Sequence, residues 1–117
     1  MKTILELEGR YLGRSWHPGS RSFEVISPAS GKVIGSAAEC GAAEAAEAVG
    51  VAEDAFRRWR TTTAFERSEI LERWARLMLE NEGALAELMS AEMGKPIRES
   101  RGEVRYAAGF VKWYAEE

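Results

Sequence analysis

The residue types of this 117-residue chain that permit chemistry are one thiol, one imidazole and a set of carboxylates in its C-terminal third. A cysteine nucleophile needs its thiolate favoured by a histidine, a cation or a helix N-terminus. Cys40 precedes a helical pattern, which helps, but Glu39, Glu44 and Glu47 flank it and the single histidine, His17, belongs to a Pro/Gly turn. A small, partly buried thiol at a helix entrance accounts for Cys40 better than catalysis does. His17 has no second histidine, cysteine pair or spaced carboxylate near it, so a solvent-facing turn residue is expected rather than a metal ligand. Glu99 and Glu103 stand at i, i+4, and Tyr106 and Phe110 continue roughly along that side. Paired carboxylates suggest acid–base work, but Arg98, Arg101 and Arg105 are at hand. Glu99 is expected to pair with one of them, and Glu103 to be structural.

The run Glu92-Met93-Gly94-Lys95-Pro96 has too few glycines for a phosphate loop and lacks the following Ser/Thr. It reads as a helix stop, a glycine followed by a breaker. Glu92 then falls in the last helical turn, where the carbonyl ends already concentrate negative charge. A bound cation or a salt bridge to Lys95 relieves that, and solvation is the third option.

These residues must be positioned by two kinds of structure. Up to Cys40, short apolar alternations are separated by turn residues. Strand candidates are Tyr11–Trp16, Ser22–Ile26 and Lys32–Ala37, with turns at His17–Ser20 and Pro28–Gly31, which together predict a hairpin or meander. From Gly41 the period becomes helical. Ala45, Ala48, Ala52, Ala55, Phe56 and Trp59 mark a first helix over about 42–60. Thr63-Ala64-Phe65-Glu66 has the form of a capping box, and Ile70, Leu71, Trp74, Leu77 and Met78 form the stripe behind it. A third helix over about 84–93 should bury Leu85, Leu88 and Met89. A fourth begins near Ile97, with Ile97, Arg101, Val104, Ala108, Val111 and Ala115 along one side, and is still running at Glu117. That ending suggests the front portion of a larger protein.

Composition narrows the class further. The chain is 45% hydrophobic and 30% charged, which suits a folded domain, and its net charge of −3 gives no electrostatic footprint for nucleic acid. No apolar run approaches the roughly 20 residues of a membrane span. The segment before Gly13 contains Glu6 and Glu8 and does not read as a signal peptide. The single cysteine excludes an internal disulfide and fits a reducing, cytoplasmic setting.

The residues at the joints carry a resemblance. Tyr11–Trp16, Phe23–Gly35 (FEVISPASGKVIG), Ala55–Arg60 (AFRRWR) with Glu66-Arg67 and Ile70-Leu71, and Glu92–Pro96 occur in the order and spacing of the N-terminal segment of the NAD(P)-dependent aldehyde dehydrogenase superfamily. The tail Arg101–Val104, Tyr106–Ala108, Phe110 and Trp113–Glu117 most resembles its succinate- and glutarate-semialdehyde branch. The match departs at Tyr11–Trp16, which lacks the usual Asn-Gly, and at Ser27 and Ser30, which replace Asn and Thr.

The resemblance implies an α/β parent fold, of which this chain is a short N-terminal β-meander followed by about four helices. It implies a single incomplete unit over residues 1–117, the front of the cofactor-binding domain, with strands and turns over 1–40 and helices over 41–117. It implies oxidation of an aldehyde, such as a semialdehyde, with NAD or NADP in the parent. Further implied are assembly with the remainder of the parent chain and homo-oligomers. The family's nucleophile, glutamate base and dinucleotide site have no counterpart here, so this chain is expected to bind no cofactor and to be structural. Carried over by motif, Glu92 and the Ile26 carbonyl would hold a monovalent cation, and Glu103 and Phe110 would line the substrate tunnel. The alternative is a stand-alone helical protein-interaction module. A remnant should expose Trp74, Phe110, Trp113 and Tyr114, and a self-sufficient module should bury them.

Overall fold

The computed structural model describes residues 10–19 and 21–117. The N-terminal reading over residues 1–9, and Ser20 of the first turn, lie outside the described residues. The elements are β1 (Arg10–Leu12), β2 (Ser15–His17), β3 (Arg21–Ile26), β4 (Val33–Glu39), α1 (Ala42–Trp59), α2 (Ala64–Glu80), α3 (Glu82–Met93) and α4 (Ile97–Glu116). They fall into two compact units. One holds the strands and α1, and the other consists of Ser27–Ser30 and Thr62–Glu117.

In the first unit, the strand expected over 11–16 is a hairpin instead. β1 and β2 pair antiparallel, Tyr11 opposite Trp16 and Leu12 opposite Ser15. The two residues between them, Gly13 and Arg14, both have positive φ, 57° and 77°. A two-residue hairpin loop of the primed type requires this twice, because only that turn matches the right-handed twist of the strands. Glycine supplies it without cost, whereas Arg14 is a strained choice that disguised the turn in the sequence. The Tyr11 and Trp16 rings meet across the strands at 5.3 Å, the contact expected of directly opposed residues. β3 and β4 form a separate antiparallel pair. Val25 faces Gly35 but Ile26 faces Val33, so Ile34 is a bulge at the closed end. The expected meander is thus two hairpins.

α1 starts at Gly41, whose amide donates to Glu44 Oε2 at 2.9 Å. It buries none of its side chains fully, and Phe56 of its expected stripe is exposed.

In the second unit α4 packs on both α2 and α3. The residues that reach zero or near-zero exposure are small: Ser27, Ala75, Ala86, Ser100, Val104, Ala108 and Ala115. Small side chains let helix backbones approach closely, so the larger neighbours are left at the flanks. On α2 the inward line is Leu71, Ala75 and Met78, while Ile70, Trp74 and Leu77 of the expected stripe point outward. On α4 the expected side is found at Val104, Ala108, Val111 and Ala115, but Ile97 and Arg101 are exposed. Ser100 and Ser90 face each other, Oγ to Oγ at 2.8 Å, which satisfies two hydroxyls in an apolar seam. Ser68 Oγ donates to the Ala115 carbonyl at 2.5 Å and ties α2 to the end of α4.

Candidate functional site

The joint between α3 and α4 is built from the Glu92–Pro96 run. α3 stops because Gly94 takes the left-handed conformation, φ 71°, with its amide donating to the Ser90 carbonyl at 2.9 Å. A Cβ at Gly94 would also stand 3.0 Å from Pro28 Cγ, so a side chain here is strained for two reasons. Pro96 then caps α4, its carbonyl accepting from Glu99 and Ser100. The two turn motifs singled out in the sequence, Ser27–Ser30 and Glu92–Pro96, therefore meet in the second unit.

Lys95, between Gly94 and Pro96, turns to Glu103 and forms an ion pair with it. The lysine side chain is 16% exposed and the glutamate 52%. Of the three options for Glu92, this removes the bridge to Lys95. Glu92 lies exposed near the end of α3 and makes no hydrogen bond or ion pair among the described residues. Ile26 ends β3 and is also exposed. Among the described residues no group of three or more His, Cys, Asp or Glu is arranged to hold a metal ion.

Glu103 begins a line along α4 that continues through Tyr106 and Phe110, at the i+3 and i+7 positions of a helix face. Tyr106 and Phe110 meet edge to face at 4.8 Å. A shallow hollow follows this face, lined by Tyr106, Gly109, Phe110, Trp113 and Tyr114. The four aromatic residues are 70%, 50%, 61% and 67% exposed in that order. They stand opposite the Val104–Ala108–Ala115 seam, so α4 is apolar on two sides. The sequence marked Phe110 and Glu103. It did not mark Gly109, where the lack of a side chain leaves the hollow open, nor the Lys95 partner, eight residues from Glu103 and across a turn, which no helical spacing reveals.

Glu99 was expected to pair with a nearby arginine and makes no ion pair among the described residues. Arg105 instead reaches α3, donating through Nε and one Nη to both carboxylate oxygens of Glu82 at 2.7 and 2.9 Å. That hydrogen bonding holds the Glu82 carboxyl below its ordinary range and raises the Arg105 guanidinium. Fork-to-fork pairing of this kind fixes both position and rotation of the partners.

The potential nucleophile and base do not form a pair. Cys40 is exposed between β4 and α1. His17 is not a turn residue but the last residue of β2. Its Nε2 lies 3.0 Å from Ser15 Oγ and 3.2 Å from the Leu12 carbonyl. A carbonyl only accepts, so the tautomer with the proton on Nε2 fits this site. The imidazole is thereby occupied in locking its own hairpin.

Residues 16–117 match the model of the aldehyde dehydrogenase family. The chain belongs to the aldehyde dehydrogenase family. It is 45% identical over 107 residues to the human mitochondrial succinate-semialdehyde dehydrogenase, covering 92% of this chain and 20% of that protein. It is 44% identical over 109 residues to glutarate-semialdehyde dehydrogenase of Pseudomonas putida, covering 92% of this chain and 23% of that protein. Among solved structures, succinate-semialdehyde dehydrogenase from Burkholderia pseudomallei superposes with a TM-score of 0.87 at 42% identity, over 91% of this chain and 22% of that one. An NADP-dependent enzyme of E. coli superposes with a TM-score of 0.91 at 39% identity, over 93% and 23%. The chain spans about a fifth of the length of these relatives. The two hairpins and four helices are the fold these aldehyde dehydrogenases share over that stretch. No helix of the described residues is long and apolar enough to cross a membrane.

Proposed function

We propose that this chain is the N-terminal scaffold of an NAD(P)-dependent aldehyde dehydrogenase that oxidises a semialdehyde, such as succinate semialdehyde, to the dicarboxylic acid. The cofactor site, nucleophile and base lie in the remaining part of the enzyme, and the chain by itself is inactive. In the full-length enzyme it is the front of the cofactor-binding domain, and the enzyme assembles as a homo-oligomer. The observation that carries this reading is the aromatic face of α4. Tyr106, Phe110, Trp113 and Tyr114 are at least half exposed, an area that a finished module would cover. Trp74, on α2, is 55% exposed and argues the same way. Glu103 and Phe110 on that face form part of the wall along which the aldehyde enters.

Glu92 is the ligand we assign to a monovalent cation. Glu92 suits this role because it is a carboxylate near a helix C-terminus with no ion pair among the described residues, and Lys95 is engaged by Glu103. The free thiol of Cys40 suits the reducing cytoplasm.

The test is a chimera in which this chain replaces the matching N-terminal stretch of the Pseudomonas putida glutarate-semialdehyde dehydrogenase. The chimera should reduce NAD or NADP with succinate or glutarate semialdehyde. A folded chimera that binds the cofactor yet turns over no aldehyde contradicts the proposal.

A further inference from the structure

We infer that Lys95 determines substrate charge preference by neutralising Glu103 at the head of the α4 aromatic face. This rests on the proposed semialdehyde oxidation. A semialdehyde of this class carries a carboxylate, so the approach must tolerate a second negative charge. The α4 face as the sequence writes it is hostile to one, with Glu99 and Glu103 on successive turns ahead of Tyr106 and Phe110. Glu103 is the nearer of the two to the aromatic rings, three residues before Tyr106, whereas Glu99 is seven residues before it. It is also the one that receives a cation.

The cation is delivered by a rigid device. Lys95 stands between Gly94, fixed in the left-handed conformation against Pro28, and Pro96, whose carbonyl starts α4. Its side chain is largely buried while Glu103 is half exposed. The pair therefore presents solvent with a compensated carboxylate rather than with a free ammonium. A merely structural role for the pair, holding the start of α4, would affect every aldehyde alike. A charge-masking role affects only charged ones, which makes Lys95 a specificity residue that acts through Glu103 and not a catalytic one.

The experiment compares the chimera described above with its Lys95→Met, Glu103→Gln and double variants. Each is assayed on succinate semialdehyde and on butanal, which has the same chain length and no carboxylate. Lys95→Met should raise KM for the semialdehyde about fivefold, the size of one close like-charge interaction well exposed to water, and leave KM for butanal and both kcat values unchanged. Glu103→Gln should lower the semialdehyde KM, and the double variant should return it near the parent value. The Lys95→Met effect should shrink with added salt. Equal changes for the two aldehydes, or no change in their ratio in either single variant, overturn the inference while leaving the semialdehyde reading intact. Loss of all turnover in the parent chimera strikes the reading itself. Glu103 is half exposed, so Glu103→Gln keeps the test decisive where Lys95→Met fails to fold.

Discussion

Thr63 and Glu66 satisfy each other at the start of α2. The Glu66 amide donates to Thr63 Oγ1 at 3.2 Å, and the Thr63 amide donates to Glu66 Oε2 at 2.7 Å. This reciprocal cap was legible in the sequence because both partners are local, three residues apart. Thr63→Ala should cost about 1 kcal/mol, read as a lower denaturation midpoint; an unchanged midpoint would mean that the cap contributes nothing. The Glu82–Arg105 pair was not legible, since its members are on different helices and only packing brings them together. Both glutamates have carboxyl values below the ordinary range, Glu66 through the Thr63 amide and then its hydroxyl, Glu82 through hydrogen bonds from Arg105. A carboxyl lowered in the folded state stabilises the fold fully above its unfolded-state value, and that contribution disappears as pH falls through the folded value. The window thus lies below about pH 4. Arg105→Ala should lower stability at neutral pH and make the acid limb shallower, so that variant and parent converge once the pH falls below the lowered Glu82 value. Urea midpoints at neutral and at acid pH check this, and a difference that persists undiminished in acid contradicts it.

At the scale of elements, the helices were readable and their buried faces only partly so. Period 3.6 locates four helices, but it cannot tell which of two apolar sides faces a neighbour. On α2 the sequence favours the large residues Ile70, Trp74 and Leu77, whereas the structure buries Ala75 with Leu71 and Met78 beside it. Close approach to α4 selects small residues, and no periodicity records the distance between two helices. The strand error has a different cause. Gly13-Arg14 hides a tight turn because arginine is an unusual residue at positive φ. The joint between α3 and α4 was readable, as glycine followed by proline is a strong stop signal. Gly94→Ala should destabilise the second unit by about 1–2 kcal/mol, the cost of a left-handed residue with a Cβ. The close Pro28 contact adds to that cost. Gly102→Ala, where a Cβ meets nothing within 4 Å inside α4, should instead stabilise by about 0.5–1 kcal/mol. Thermal melts of the two variants that shift in the same direction would refute this account of the joint.

At the scale of the whole molecule, the exposed apolar side chains Trp74, Phe110, Trp113 and Tyr114 are those the sequence singled out for a surface left open. The residues of α4 serve two faces, a buried seam of small residues and an open line of aromatics. The isolated chain should therefore bind a hydrophobic dye and self-associate with rising concentration, and Trp113→Ser should reduce both. Sedimentation as a monomer at all concentrations with no dye binding would contradict this. The central claim is that the chain is a scaffold whose chemistry resides in the rest of an aldehyde dehydrogenase. It is tested most directly by the absorbance of reduced cofactor when the purified 117-residue chain is mixed with succinate semialdehyde and NAD or NADP. No reduced cofactor should form above the uncatalysed background. Steady formation of NADH or NADPH, lost in the Cys40→Ser variant, would contradict it.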